Sequence, residues 1–308
     1  AHQVRQAALF GVFADAPRID GAAVMRRVRA ERDRFVDFVQ QAVRSWPAEQ
    51  RLQGNASFVA PGRLVVDERV LVEAERIVIA TGSSPSVPEE WRAALGDRLV
   101  VTDDVFEWTT LPASLAVVGA GAIGLELAQA LARLGVRVRL FGRGARVAAL
   151  SDPAVNAEAL KLIAEEVPYE PDAQIHAVTR AGDGVEVDYQ AGERRLRERF
   201  DLLLAATGRR PNLAGLRLER SGLTLNAKGV PLFDVETGQA GEQPVFIAGD
   251  VTHERPLLHE AADAGRLAGD NASRFPELRE RQRRVPLAIV FTDPQIALVG
   301  EPYAELRE

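Results

Sequence analysis

The chain has 308 residues, 46% hydrophobic and 27% charged, with a net charge of −6 and a pI near 5.5. This is the composition of a globular protein with two or three domains. No basic block stands out and no apolar run nears the ~20 residues needed to span a bilayer, so neither nucleic acid nor a membrane is an expected partner. There is no cysteine, which excludes disulfides, thiolate metal sites and thiol chemistry by these residues. The four histidines, His2, His176, His253 and His259, show neither HxxxH nor HExxH spacing, so no metal site is expected.

In chain order, residues 21–46 read as a long amphipathic helix. Val24, Val28, Phe35, Phe38, Val39 and Val43 recur at helical spacing, and Pro47 ends the run. Short strands follow at 57–59, 63–66, 70–72 and 76–80, with turns at Pro61-Gly62 and Asp67-Glu68. The last strand runs into Thr81-Gly82-Ser83-Ser84-Pro85. The chain then alternates strand and helix, the pattern of a doubly wound parallel sheet: strand 115–118, helix 123–134, strand 136–141, helix 153–166. A hairpin meander is expected around Ala181-Gly182-Asp183-Gly184. A buried strand at 202–206 ends in Thr207-Gly208-Arg209-Arg210-Pro211, so the strand-to-Thr-Gly turn occurs twice. Another strand at 245–248 ends in Gly249-Asp250, a helix spans roughly 257–270, and a β-rich segment starts at Pro286. The chain opens at Ala1, its single methionine is Met25, no signal-peptide pattern is present, and 302–308 reads as the start of a helix. The expectation is an internal stretch of a longer polypeptide.

The strongest motif is Gly119-Ala120-Gly121-Ala122-Ile123-Gly124, a GxGxxG between a strand and a helix. There Gly119 permits the tight turn, Gly121 leaves room for a pyrophosphate and Gly124 lets helix and strand pack closely. The helix N-terminus offers unpaired N–H groups and partial positive charge to phosphates. A nicotinamide dinucleotide is therefore expected over this loop. The second strand ends in Phe141-Gly142-Arg143-Gly144-Ala145-Arg146, without the acid that would bind the ribose 2′-OH of NAD. Arg143 and Arg146 suit a 2′-phosphate. Gly124 points the other way, so the choice between NAD and NADP stays open.

Several features in order and spacing resemble one family. They are Thr81-Gly82-Ser83; the Gly119–Gly124 loop with Leu125-Glu126-Leu127-Ala128; Thr207-Gly208-Arg209-Arg210-Pro211-Asn212; Val245-Phe246-Ile247-Ala248-Gly249-Asp250 with Leu257-Leu258-His259-Glu260-Ala261; and Phe291-Thr292-Asp293-Pro294 with Val299-Gly300. Together they resemble the pyridine nucleotide-disulfide oxidoreductases over nearly the whole chain, most of all the dihydrolipoamide dehydrogenase branch.

The resemblance implies an α/β fold of two Rossmann-like FAD- and NAD(P)-binding domains plus the start of an α+β dimerisation domain. The expected division is a partial FAD domain at 1–111 lacking its first βαβ unit, an NAD(P) domain at 112–236, an FAD return segment at 237–280 and the start of a dimerisation domain at 281–308. It implies FAD and NAD(P) as cofactors, with Ala60, Thr81, Gly82, Ser83, Asp250, Leu257, Leu258 and His259 on the flavin side. On the NAD(P) side it implies Gly119, Gly121, Ala122, Ile123, Gly124, Glu126, Arg143, Ile175 and Gly208. His259 is not expected to be a catalytic base.

It also implies a cytoplasmic homodimer passing electrons between NAD(P)H and a disulfide or dithiol, dihydrolipoamide foremost, with a 2-oxo acid dehydrogenase complex as a further partner. The family's cysteine pair, its first GxGxxG loop and its His-Pro-Thr segment are not in this sequence, so no catalytic residue is assigned. A glutathione or mercuric reductase-like enzyme, a soluble transhydrogenase-like flavoenzyme and a non-catalytic NAD(P)-binding module are the alternatives.

Overall fold

A computed structural model describes residues 2–13, 15 and 17–307. Its helices are α1 (His2–Gln6), α2 (Gly21–Arg44), α3 (Glu89–Leu95), α4 (Thr102–Val105), α5 (Ala122–Arg133), α6 (Pro153–Glu166) and α7 (Leu258–Arg274). Its strands are β1 (Ala56–Ala60), β2 (Arg63–Val66), β3 (Val70–Glu73), β4 (Ile77–Ile79), β5 (Ser83–Pro85), β6 (Leu99–Val100), β7 (Ser114–Val118), β8 (Arg137–Phe141), β9 (Tyr169–Glu170), β10 (Gln174–Ala181), β11 (Gly184–Ala191), β12 (Arg194–Phe200), β13 (Leu202–Ala205), β14 (Arg209–Pro211), β15 (Val245–Ile247), β16 (Leu287–Val290) and β17 (Ile296–Val299). The expected helices and strands form within a few residues of their predicted limits. Short elements such as α3, β5, β6 and β14 lacked the length to show a period. The expected terminal helix at 302–308 is a 3₁₀ turn at Glu305–Arg307, and Glu308 lies outside the described residues.

The chain divides into two compact units, Ala1–Gln40 with Pro85–Gly208 and Pro286–Glu308, and Gln41–Ser84 with Arg209–Val285. These limits differ from the expected 111/112, 236/237 and 280/281. In the first unit the stretch from 286 onward packs with residues 85–208: Val290 and Ile296 join the core that holds Leu125 and Leu131 of α5.

The first unit is built on a parallel sheet in the order β6-β13-β7-β8-β9. Alternation along its strands feeds two cores, because successive side chains of a strand point to opposite faces. Leu115 and Val117 of β7, Val138 and Leu140 of β8 and Leu204 of β13 meet helices α5 and α6. Ala116, Val118, Phe141, Leu203 and Ala205 meet the antiparallel meander β10-β11-β12 through Val185, Val187, Tyr189 and Phe200. Leu203 and Leu204 are fully buried, worth about 1.5–3 kcal/mol each by area. The starts of two central strands are pinned together: the Asp201 carboxylate accepts from the amides of Ala113 (2.7 Å) and Ser114 (3.0 Å).

The second unit holds the antiparallel sheet β1-β2-β3 and a parallel pair, β4 and β15. Phe246 and Ala248 pack under α7 against Ala268 and Ala272, while Val245 and Ile247 face a second core with Phe58, Ile79 and Leu213. Among the described residues no helix is long and apolar enough to cross a membrane.

Candidate functional site

In the first unit, β7 and β13 end side by side at two glycine turns. The Ala206 amide donates to the Val118 carbonyl (2.8 Å), and the Gly119 amide donates to the Phe141 carbonyl (2.8 Å). Gly119 has a φ of +115°, and a Cβ on it would stand 2.2 Å from the Ala206 carbonyl oxygen. A Cβ on Gly124 would stand 1.8 Å from the Gly119 oxygen. These two glycines are there for backbone approach. Gly121 differs: a Cβ there would meet nothing within 4 Å. The position that the sequence reserves for a pyrophosphate is open space.

Gly121 caps α5 without a side-chain bond, and the first helical bond runs from the Leu125 amide to the Gly121 carbonyl (3.0 Å). The amides of Ala122, Ile123 and Gly124 are the unpaired donors of that helix start among the described residues. Open space, free amides and the positive helix end together fit a dinucleotide pyrophosphate.

Beside the loop lies a cleft of about 680 Å³ lined by Trp91, Val118, Arg143, Asp172, Ile175 and Thr207, among others. One wall is tied to the sheet, since the Thr207 hydroxyl donates to the Ser86 carbonyl and the Ser86 amide donates to the Gly208 carbonyl (2.9 Å). The fold thus brings Arg143 and Ile175 into one cleft, with Gly208 at its edge. Trp91 of α3 was missed in the sequence because its helix is only seven residues long.

Arg143 and Arg146 part company. Arg146 donates through Nε to the Leu150 carbonyl (2.9 Å) and closes its own loop. Asn156 braces that loop, donating to the Ala145 carbonyl (2.6 Å) and accepting from the Val147 amide (3.0 Å). Arg143 is exposed and makes no side-chain hydrogen bond or ion pair among the described residues. Tyr169, behind the end of β8, has a buried hydroxyl without a hydrogen-bond partner among the described residues, and burial pushes its pKa up to about 12. Glu126, two residues after the glycine loop, accepts through Oε1 from the amide of Phe291 (2.8 Å), the residue after β16.

In the second unit the Ser83 hydroxyl donates to Asp250 Oδ2 (3.1 Å) and accepts from Arg209 Nε (2.8 Å). The Arg209 guanidinium also donates to the Ser83 carbonyl (2.6 Å). Asn212 fixes the preceding turn by donating its side-chain amide to the Thr81 carbonyl and its backbone amide to the Gly82 carbonyl (both 3.0 Å). Asp250 Oδ1 keeps its lone pairs among the described residues, as a sugar-hydroxyl acceptor requires. Leu257 caps α7 without a side-chain bond. Leu258 and His259 are exposed on its first turn, with their backbone amides among the unpaired donors. These groups fit the polar rim of a flavin. Ala60 belongs to a different sheet, at the irregular end of β1. His176 is exposed on β10, and His253 is exposed with a φ of +59°. No cluster of His, Cys, Asp and Glu among the described residues suits a metal ion.

Comparison with known proteins gives a consistent result. The sequence profile of the pyridine nucleotide-disulphide oxidoreductases matches residues 13–265. The chain is 28% identical to a dihydrolipoyl dehydrogenase of Bacillus subtilis, covering 99% of this chain and 66% of that protein. It is 34% identical to a mercuric reductase of Shigella flexneri, covering 96% of this chain and 52% of that protein. Among solved structures, LpdA from Mycobacterium tuberculosis superposes with a TM-score of 0.80 at 25% identity, over 99% of this chain and 67% of the other. The HOCl-induced flavoprotein disulfide reductase RclA from Escherichia coli shares the fold, with a TM-score of 0.76 at 22% identity over 91% of this chain and 65% of that one. The chain thus spans between about half and two thirds of the length of these curated relatives.

Proposed function

Because the chain belongs to the pyridine nucleotide-disulphide oxidoreductase family, whose members use FAD and NAD(P)H, we propose that it is the nucleotide-binding part of an FAD-dependent oxidoreductase. That enzyme passes electrons between NAD(P)H and a disulfide or dithiol, with dihydrolipoamide as the first substrate to test. Open space over Gly121, between two glycines closed by backbone, is the observation that carries this reading.

Bound together, the two cofactors supply hydride transfer and a two-electron relay. The protein's part is orientation. The amides of Ala122, Ile123 and Gly124 hold the dinucleotide phosphates, and Ile175 and Trp91 wall the cleft that takes its adenosine half. Asp250, oriented by Ser83 and Arg209, accepts sugar hydroxyls of the flavin, and the α7 first turn donates amides to the ring. No cysteine is present, so thiol exchange is not the work of these residues. The reading includes a homodimer, a cytoplasmic location and, for a dihydrolipoamide enzyme, attachment to a 2-oxo acid dehydrogenase complex. The domain reading stays with it: a dinucleotide domain around 112–236, flavin segments at 1–111 and 237–280, and a dimerisation segment from 281.

A mercuric ion as the electron acceptor is the second reading, favoured by the higher identity to the mercuric reductase, 34% against 28%. Purified from its own cells, the protein is expected to show flavin absorbance that bleaches anaerobically with NAD(P)H and returns on adding lipoamide. Return with mercuric ion but not lipoamide selects the second reading. A protein that binds neither nucleotide nor flavin sinks both.

A further inference from the structure

Helix α7 begins at Leu258 with Leu257 as its cap, so Glu260 is the third residue of its first turn. A carboxylate at that position is the ordinary partner of its own helix start, where it meets unpaired amides and the positive end of the dipole. In this chain the carboxylate points elsewhere.

Glu260 is buried, with its side chain only 10% exposed. Its Oε1 accepts from Arg255 Nη1 (3.5 Å) and its Oε2 from Arg281 Nη2 (3.3 Å). Both arginines are held by their own backbone. The Arg255 carbonyl accepts from the Leu257 amide (2.8 Å), and the Arg281 amide donates to the Glu236 carbonyl (2.8 Å). Asn271, fully buried on α7, fastens the segment that leads to Arg281. It donates to the carbonyls of Thr237 (2.8 Å) and Arg279 (2.9 Å) and accepts from the Arg279 amide (2.8 Å). Nη1 of Arg281 is buried without a hydrogen-bond partner, so Glu260 is the one side-chain acceptor that this guanidinium has among the described residues.

The consequence lies at the helix start. The first bond of α7 runs from the Ala261 amide to the Leu257 carbonyl (2.9 Å). The amides of Leu258, His259 and Glu260 have no acceptor among the described residues. A buried carboxylate that loses a donor must find another. The unpaired donors within one turn of Glu260 are those amides.

We propose that Arg255 and Arg281 are positioning residues for the flavin site. They hold the Glu260 carboxylate off the start of α7, and so keep the Leu258 and His259 amides open to a ligand oxygen. The proposal rests on the reading of this turn as a flavin contact. Its first test is FAD affinity by fluorescence titration. Arg255→Ala and Arg281→Ala should each weaken FAD about tenfold, the scale of a charge-assisted hydrogen bond lost to a competitor. Glu260→Ala should stay within about twofold of the parent, and Arg281→Ala/Glu260→Ala should return to that range, because the competitor is gone. Urea titration of each variant establishes that it is folded where FAD is measured.

The second readout needs no flavin. By NMR of the flavin-free protein, the Leu258 and His259 amides should exchange fast in the parent, slowly in Arg281→Ala and fast again in the double variant. Equal weakening of FAD by Glu260→Ala and Arg281→Ala, with no recovery in the double variant, makes the three residues a structural clamp and overturns the proposal. If the parent binds FAD and the arginine variants bind it as tightly, the flavin reading stands and the positioning role falls. A parent that binds no FAD overturns the flavin reading and leaves the guarded helix start to the exchange pattern. Unchanged exchange in Arg281→Ala overturns the guard itself.

Discussion

Two strands of this chain end in the same Thr-Gly turn, and their surroundings differ. β13, ending at Thr207-Gly208, lies between two parallel neighbours, β6 and β7, with Leu203 and Leu204 fully buried. β4, ending at Thr81-Gly82, has among the described residues a single parallel neighbour, β15, and its Val78 is 41% exposed. Beside the first turn stands a glycine loop with open space for phosphates; beside the second stands an acid, Asp250, held by Ser83. The same turn thus stands beside two different sets of groups, a glycine loop in the first unit and a carboxylate in the second. The first unit carries both the glycine loop and the cleft of the proposed dinucleotide site. The second unit carries the proposed sugar acceptor, Asp250, with no glycine loop beside it in this sequence.

The sharpest way to break this contrast is inside the glycine loop. Gly124→Ala should destabilise the first unit by about 2–3 kcal/mol, since its Cβ meets backbone at 1.8 Å, whereas Gly121→Ala should stay within about 0.5 kcal/mol. Urea titration of both variants checks this, and equal losses would show that the loop geometry is not the constraint. Gly121→Val should leave stability near that of the parent while weakening NAD(P)H, which separates binding from packing.

On the other side of the comparison, Asp250→Ala should weaken FAD about tenfold, the usual size for one charged hydrogen-bond acceptor, and leave NAD(P)H binding unchanged. Equal loss of both ligands by titration would mean that Asp250 supports the fold rather than the flavin.

Smaller again is the effect expected at Tyr169. Its buried hydroxyl has no partner among the described residues, so Tyr169→Phe should be neutral or stabilising by up to about 1 kcal/mol. Thermal melts of the two proteins decide it, and a marked loss would reveal a partner for that hydroxyl.

The smallest is a pH effect. Arg133 holds the Glu166 carboxyl below its ordinary value of 4.5 through two hydrogen bonds of 2.6 Å. A carboxyl depressed in the folded state contributes stability that is present above its unfolded pKa and lost as pH falls through the folded value. Glu166→Gln should therefore flatten the acid limb below about pH 4.5 by less than about 1 kcal/mol, read from urea midpoints at pH 7 and pH 3.

Much of the first unit could be read in the residues. Leu115–Val118 and Leu202–Ala205 are apolar runs between turns, and the glycines between strand and helix have one mechanical purpose. The rest needed three dimensions. Leu99-Val100 is too short to announce a strand, yet it forms an edge of the parallel sheet. Arg143 and Arg146 are equivalent as letters, and the carbonyls of Leu150 and Ala149, which take the Arg146 guanidinium, separate them. Glu126 sits on α5 directly after the glycine loop, and no periodicity foretells that its carboxylate would hold Phe291. The interleaving of residues 286 onward with the first unit is likewise invisible to composition, because it depends on Val290 and Ile296 finding the α5 side of the sheet.

The crowding behind Gly142 bears on how such a site changes over generations. A switch of nucleotide preference by placing an acid at the strand end would need Tyr169 to shrink first, and the Pro171 carbonyl to give way as well. The intermediate with the acid alone would fold poorly, and the intermediate with a smaller residue at 169 would gain nothing in binding. An acid at 142 therefore needs changes at two neighbours together rather than one. The strand end is thus closed to a side chain at 142 by a ring and a carbonyl at once.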